Sequence, residues 1–201
     1  MTVLLYDNPV SGNCHKVRLI FGLLGVEFER RELSVVDRSD RATVLDGLSP
    51  SLNVPTVVLE DGRPLAESNA ILWYFADGTR YLPDDPYERA QVLQWMFFEQ
   101  YKHEPGIAVV RFWVAISDDP PPAAEIEARR SAGYAALEAM ERHLSDHEYF
   151  VGERFTIADI ALYPYTQVAP EGGFDLEPYP AVRRWLARVA AQPGVFPLTP
   201  R

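Results

Sequence analysis

The chain has 201 residues, 47% hydrophobic and 24% charged, enough apolar content to bury a core and too much for a disordered tail. Its 19 Lys and Arg face 29 Asp and Glu, with 8 basic and 13 acidic residues up to Asp85 and 11 and 16 beyond, so neither part offers the phosphate-neutralising face that nucleic-acid binding needs. A single cysteine, Cys14, excludes an internal disulfide framework and a cysteine-cluster metal site; with no signal peptide and no apolar run near 18 residues, the expectation is a soluble, cytoplasmic protein with no membrane partner.

Residues 2–6, TVLLY, read as a short buried strand, and Asp7-Asn8-Pro9 as turn chemistry. From Ser11 to Leu24 the apolar residues Val17, Ile20, Phe21 and Leu24 fall at helical spacing, and Gly25 ends that helix. Residues 26–33 alternate apolar with charged, as an edge strand does. Residues 34–48 read as a loop with a short helix. Val54 to Leu59 is an apolar, β-branched strand, residues 60–63 a turn, and Pro64-Leu65-Ala66 its partner. Ser68 is expected to cap a helix running through Phe75. The order β-α-β-α-β-β-α thus fills residues 1–77.

Residues 78–85 read as a linker. Asp85 followed by Pro86 is a helix start, a capping carboxylate and then proline at the first helical position. Everything beyond reads as helix: 86–116 with Pro105-Gly106 expected to kink or interrupt it, then about 123–144, a third from Thr156 and a fourth from Pro180. The fold class is therefore two-domain α+β, with an all-helical second domain over 86–201.

Three motifs carry chemistry. Ser11-Gly12-Asn13-Cys14 lies between the first strand and the first helix, where unpaired N–H groups and the positive end of the helix dipole gather. A thiolate placed there is stabilised, and Ser11 supplies a hydroxyl donor; plain capping by Ser11 or Asn13 reads the motif equally well. Val54-Pro55 opens a strand, and a cis bond there would turn a carbonyl and an N–H toward an extended peptide; a trans proline is the ordinary form. Glu67-Ser68 precedes a helix whose N–H groups can take a carboxylate, with Glu67 placed for an ammonium, together the two charges of an α-amino-acid head. Simple capping by Ser68 explains that motif as well.

The combination is more specific than its parts. Ser11-Gly12-Asn13 with Lys16-Val17-Arg18, then Asn53-Val54-Pro55, then Glu67-Ser68, then Phe155-Thr156-Ile157-Ala158-Asp159, resemble the soluble, cytosolic-type glutathione transferase family in its serine-type bacterial form. The resemblance spans nearly the whole chain. It implies a thioredoxin-like first domain before the helical bundle, glutathione as co-substrate, no metal, a homodimer, and a detoxifying role. It implies that Ser11 donates to the glutathione sulfur, with Asn13 a second donor. The Val54 backbone would pair with the cysteinyl part beside a cis Pro55, and Glu67 and Ser68 would hold the γ-glutamyl ammonium and carboxylate. Asn53 would touch the glycyl end, although the family often has a basic residue there, and Leu52 stands where glycine is common. Phe98 and Tyr101, three apart on one helix face, are the expected lining of an electrophile pocket. Tyr6 is expected to pack.

The implied reaction is activation of the glutathione thiol for attack on a small electrophile. Competing readings are a thiol–disulfide oxidoreductase or peroxidase using Cys14, and a non-catalytic binding protein of the same fold. Thr156-x-x-Asp159 reads as a structural capping box. Lys102, His103 and Arg111 are candidate polar contacts but read rather as a solvated face; the histidines His15, His103, His143 and His147 show no metal-ligand spacing with carboxylates, and His143 and His147 read as a solvated helix end.

Overall fold

The computed structural model describes residues 2–198; the ends of the two expected domains, residue 1 and residues 199–201, lie outside the described residues. The chain divides into two units: one extends to Asp77 and regains the C-terminal segment from Pro193, the other is Gly78–Gln192.

In the first unit, β1 (Val3–Asp7), α1 (Gly12–Leu24), β2 (Phe28–Glu32), α2 (Arg41–Leu45), β3 (Thr56–Val58), β4 (Pro64–Ala66) and α3 (Ser68–Ala76) follow the expected order. The sheet runs β2-β1-β3-β4, with β1 parallel to β2 and antiparallel to β3. β2 is an edge strand, which is why Glu29 to Glu32 remain exposed. Side chains alternate across the sheet. Tyr6 packs with Leu33 and Leu45 on one face, while α1 and α3 pack together and bury Val17, Ile20, Phe21, Ile71 and Leu72. Gly25 caps α1 in the left-handed conformation, φ 67°, with its N–H on Phe21 and Gly22 carbonyls. The segment expected in the helical domain beyond Pro193 belongs to this unit instead, because Phe196 packs edge-on against the His15 ring, centroids 4.9 Å apart.

The second unit is helical. Asp85 Oδ1 accepts from the N–H groups of Tyr87 and Glu88 and starts α4 (Pro86–Phe98). No break follows at Pro105-Gly106. A π-helical turn, Glu99–His103, leads into α5 (Glu104–Arg111), and a second, Phe112–Ile116, ends the run. The wider turn places Pro105 at the start of the next α segment, where its missing N–H costs little. It also shifts the helix faces, which overturns the solvated reading of two residues: His103 is buried with Nε2 2.8 Å from Thr166 Oγ1, and buried Arg111 donates to Glu171 at 2.7 Å. Lys102 is exposed, its ammonium 4.9 Å from the Tyr101 ring centre. α6 (Ala123–Leu144), α7 (Ile157–Gln167) and α8 (Pro180–Ala190) complete the bundle. α5 meets α6 at Gly106 and Gly133, where a Cβ on Gly106 would lie 2.6 Å from the Gly133 backbone. His143, expected in solvent, stacks against Phe150 and Trp95, with centroids 5.6 and 4.8 Å away; the loop after α6 folds back and covers it. Among the described residues no group of three His, Cys, Asp or Glu could hold a metal, and no helix is long and apolar enough to cross a membrane.

Candidate functional site

The site begins where β1 ends. Ser11 is the N-cap of α1, with extended backbone (φ −79°, ψ 122°) and Oγ accepting from Cys14 N at 3.3 Å. Accepting there does not use the hydroxyl proton; the Ser11 side chain also hydrogen-bonds the Cys14 thiol, and Ser11 is half-buried. The first-turn N–H groups and dipole of α1 supply positive potential at the same place.

Cys14 does not share this exposure. It is fully buried. Burial first, then the charge of Asp7, push its thiol up to about 12. A thiol so protonated is neither nucleophile nor metal ligand at neutral pH.

α1 and α3 meet at their amino ends. Ser68 Oγ donates to Asn13 Oδ1 at 3.2 Å, and the buried ammonium of Lys16 lies 3.5 Å from Ser68 Oγ. Asn13 therefore turns its amide oxygen toward α3. Ser68 is not the cap of α3, as the sequence reading had it; it is the first helical residue, and Glu67 is the N-cap, without a side-chain cap bond. Glu67 holds φ 69° and ψ 116°, a region that costs a non-glycine residue about 1–3 kcal/mol. Its carboxylate is exposed and accepts from Ser51 Oγ at 3.3 Å.

The third segment approaches along β3. The Val54–Pro55 bond is cis, and Val54 stands outside the ladder, which starts at Thr56. Leu52, in place of the glycine common in the family, takes φ 52°, a left-handed conformation costing about 1–2 kcal/mol. Packing against the Tyr6, Leu33 and Leu45 cluster offsets this, and buried Arg41 donates to the Leu52 carbonyl at 3.1 Å. Asn53 is exposed and takes a hydrogen bond from the Arg38 guanidinium. The sequence reading missed Arg38, Arg41 and Ser51: Arg38 and Ser51 lie in polar loops and Arg41 opens the five-residue α2, too short for periodicity to mark a position, and only the fold brings them to this strand.

Phe98 and Tyr101 lie together in the helical unit. They line an open groove of about 680 Å³ with Lys102, Pro105 and Ala132 among its walls. Tyr101 is 77% exposed and Phe98 half-buried.

Residues 10–77 match the family model described as glutathione S-transferase, N-terminal domain, and residues 103–193 the one described as glutathione S-transferase, C-terminal domain. Glutathione S-transferase 2 of Anopheles gambiae is 31% identical over 94% of this chain and 91% of its own length. The disulfide-bond oxidoreductase YfcG of Escherichia coli strain K12 is 30% identical over the same shares. A crystal structure of a glutathione S-transferase from Pseudomonas fluorescens Pf-5 superposes with a TM-score of 0.90 at 44% identity, covering 98% of this chain and 99% of that one.

Proposed function

The chain belongs to the glutathione S-transferase family, and on that premise we propose that it binds glutathione along β3 and the amino ends of α1 and α3, with Ser11 activating its thiol. The observation that carries this reading is the half-buried Ser11 hydroxyl at the α1 amino end, its oxygen accepting from Cys14 N, a bond that does not use its proton. Val54 lies beside the ladder with its peptide bond to Pro55 cis, available to pair with the cysteinyl backbone. The backbone N–H of Ser68 and the amino end of α3 take the γ-glutamyl carboxylate, since the Ser68 hydroxyl already donates to Asn13, and the exposed Glu67 carboxylate takes the ammonium. Asn13 joins the two helix ends. Asn53, with Arg38 against it, faces the glycyl carboxylate; Arg38 supplies the positive charge that the family often carries at the Asn53 position itself.

The mechanism follows from the thiol's ordinary pKa, about 8.5, which leaves little thiolate at neutral pH. Each unit of lowering corresponds to about 1.4 kcal/mol. A hydroxyl donor and a helix amino end together supply about one to two units. Ser11 keeps its proton and donates it as a hydrogen bond to the sulfur while charge is present. The thiolate attacks an electrophilic carbon, a C–S bond forms, and the leaving group departs with its electron pair. We assign Phe98 and Tyr101, which line the groove of the helical unit itself, to holding an electrophile.

A second reading draws on the similarity to an enzyme named a disulfide-bond oxidoreductase. In it the same thiolate attacks a mixed disulfide of glutathione, yielding glutathione disulfide and a free thiolate. Buried Cys14 takes no part in either reaction. On this reading the protein works in the cytoplasm, in detoxification and as a homodimer; for the dimer, Leu93 and Phe97 are exposed one α-turn apart, an apolar strip suited to a second copy.

Conjugation of glutathione to an aromatic halide tests the proposal. Ser11→Ala is expected to lower kcat 10- to 100-fold and to raise the pKa of the bound thiol, with glutathione affinity nearly unchanged. Wild-type rates in Ser11→Ala would refute the role of Ser11. Tyr101→Ala is expected to raise KM for the halide alone. Turnover of mixed disulfides in preference to halides would favour the second reading.

A further inference from the structure

We propose that the C-terminal segment, residues 193–198, acts with His15 and Arg18 as a positioning device for the Ser11 loop. The inference rests on the reading of Ser11 as the donor to glutathione sulfur.

The chain of contacts starts at Phe196. Its carbonyl lies 2.9 Å from His15 Nε2, and since a carbonyl only accepts, Nε2 carries the proton. Nδ1 is then an acceptor, and Arg18 Nη2 lies 3.4 Å from it. The ring is held in place by the edge-to-face contact with Phe196, interplanar angle 89°.

Arg18 distributes the rest of its fork onto the backbone that precedes Ser11. Nη1 donates to Asp7 Oδ1 at 2.6 Å and to the Asn8 carbonyl at 2.9 Å, and Nη2 to the Pro9 carbonyl at 3.1 Å. The Asn8 carbonyl also accepts from Ser11 N at 3.3 Å, while Asn8 Oδ1 takes Val10 N at 3.1 Å. One guanidinium thus grips both carbonyls of the turn and shares one of them with Ser11. Asp7 orients it from one side and His15 from the other.

Charge supports the same arrangement. Burial first, then the Arg18 guanidinium, bring His15 down to about 4. A neutral ring keeps an acceptor facing Arg18 at neutral pH; a protonated one would oppose two donors.

The position matters because a donor to a developing anion is effective only when pre-set, and a shift of about 1 Å can cost about 100-fold in rate. The contacts end on the residues just before Ser11, not on the γ-glutamyl groups at α3. Loosening them should therefore move thiol activation and leave binding in place.

Four full-length proteins test this: wild type, Ser11→Ala, Arg18→Lys and Phe196→Gly. Arg18→Lys keeps a cation for Asp7 but loses the fork. Phe196→Gly removes a 40% exposed ring, so the fold survives it. Glutathione binding is measured by calorimetry, the bound thiol titrated by thiolate ultraviolet absorbance, and kcat by conjugation. Arg18→Lys is expected to lower kcat about 10-fold and raise the bound thiol pKa by about one unit, and Phe196→Gly to lower kcat about 3-fold, both with the dissociation constant within 2-fold of wild type. A wild-type thiol titration in both variants overturns the proposal alone. Affinity that falls in step with kcat marks a general loosening of the unit and also overturns it. Ser11→Ala with a wild-type thiol titration, or wild type that binds no glutathione, overturns the underlying reading and this proposal with it.

Discussion

Two helices in this chain start on a hydroxyl, and they are built for opposite ends. Ser11 at α1 and Thr156 at α7 each accept a first-turn N–H at 3.3 Å. At Thr156 the hydroxyl proton is taken by Asp159 Oδ2, 3.2 Å away, and the same oxygen accepts from Thr156 N at 2.9 Å. The other carboxylate oxygen takes Trp185 Nε1 at 2.9 Å and Phe150 N at 3.3 Å. Everything in that box is buried, and every hydrogen-bonding group there has its partner inside the protein. Ser11 is half-buried, has no reciprocating carboxylate at N3, and lies beside a second helix start. The same cap chemistry therefore makes a structural joint where it is sealed and a candidate binding group where it is left open.

The contrast breaks most readily at Asp159. Asp159→Ala strands four buried donors, each at about 1–3 kcal/mol, so a loss of about 4 kcal/mol or more is expected in urea denaturation.

Acidity gives the next largest effect, with opposite signs in the two units. Burial raises Asp159 from 3.8 to about 6, so the folded chain keeps a proton that the unfolded chain gives up. That contribution is complete below pH 3.8 and lost as pH rises through 6. His15, lowered by burial from 6.5 to about 4, contributes above pH 6.5 and loses it as pH falls through 4. Each amounts to about 3 kcal/mol. Between pH 4 and 6 the unfolding free energy of His15→Gln should rise on acidification relative to wild type, and that of Asp159→Asn should fall. Parallel curves for the three proteins would remove the contrast.

Ser11→Ala sharpens it from the other side. Loss of an open cap is expected to cost about 1 kcal/mol of stability, far less than at Asp159, while turnover falls most. Cys14→Ala is expected to do the least: turnover within 2-fold of wild type, with slow reaction of the wild-type thiol toward alkylating reagents.

Much of the architecture was legible in local sequence. Gly25, Asp85-Pro86 and Thr156-x-x-Asp159 each mark a helix boundary through their own backbone chemistry, and the alternation of residues 26–33 marked the edge strand. The run 86–116 misled, because periodicity extrapolates α-geometry and a π turn shifts the face; His103 and Arg111 moved from solvent to the interior for that reason. The turn beyond α6 likewise hid His143 among rings that no spacing connects to it. At the candidate site, Ser11, Glu67 and Ser68 were visible because helix starts are local events. Arg38, Ser51 and the tie from Phe196 to His15 were not, since each joins segments from 15 to 181 residues apart.

By itself the sequence determined the order of elements in the first unit, the starts of α1, α4 and α7 and the family, because capping, turns and hydrophobic period act over a few residues. Only the tertiary structure decided which hydroxyl stays open, that Cys14 is sealed with a thiol near 12, and that the C-terminal segment belongs to the first unit. Burial and long-range pairing set all three, and both depend on what the rest of the chain brings alongside.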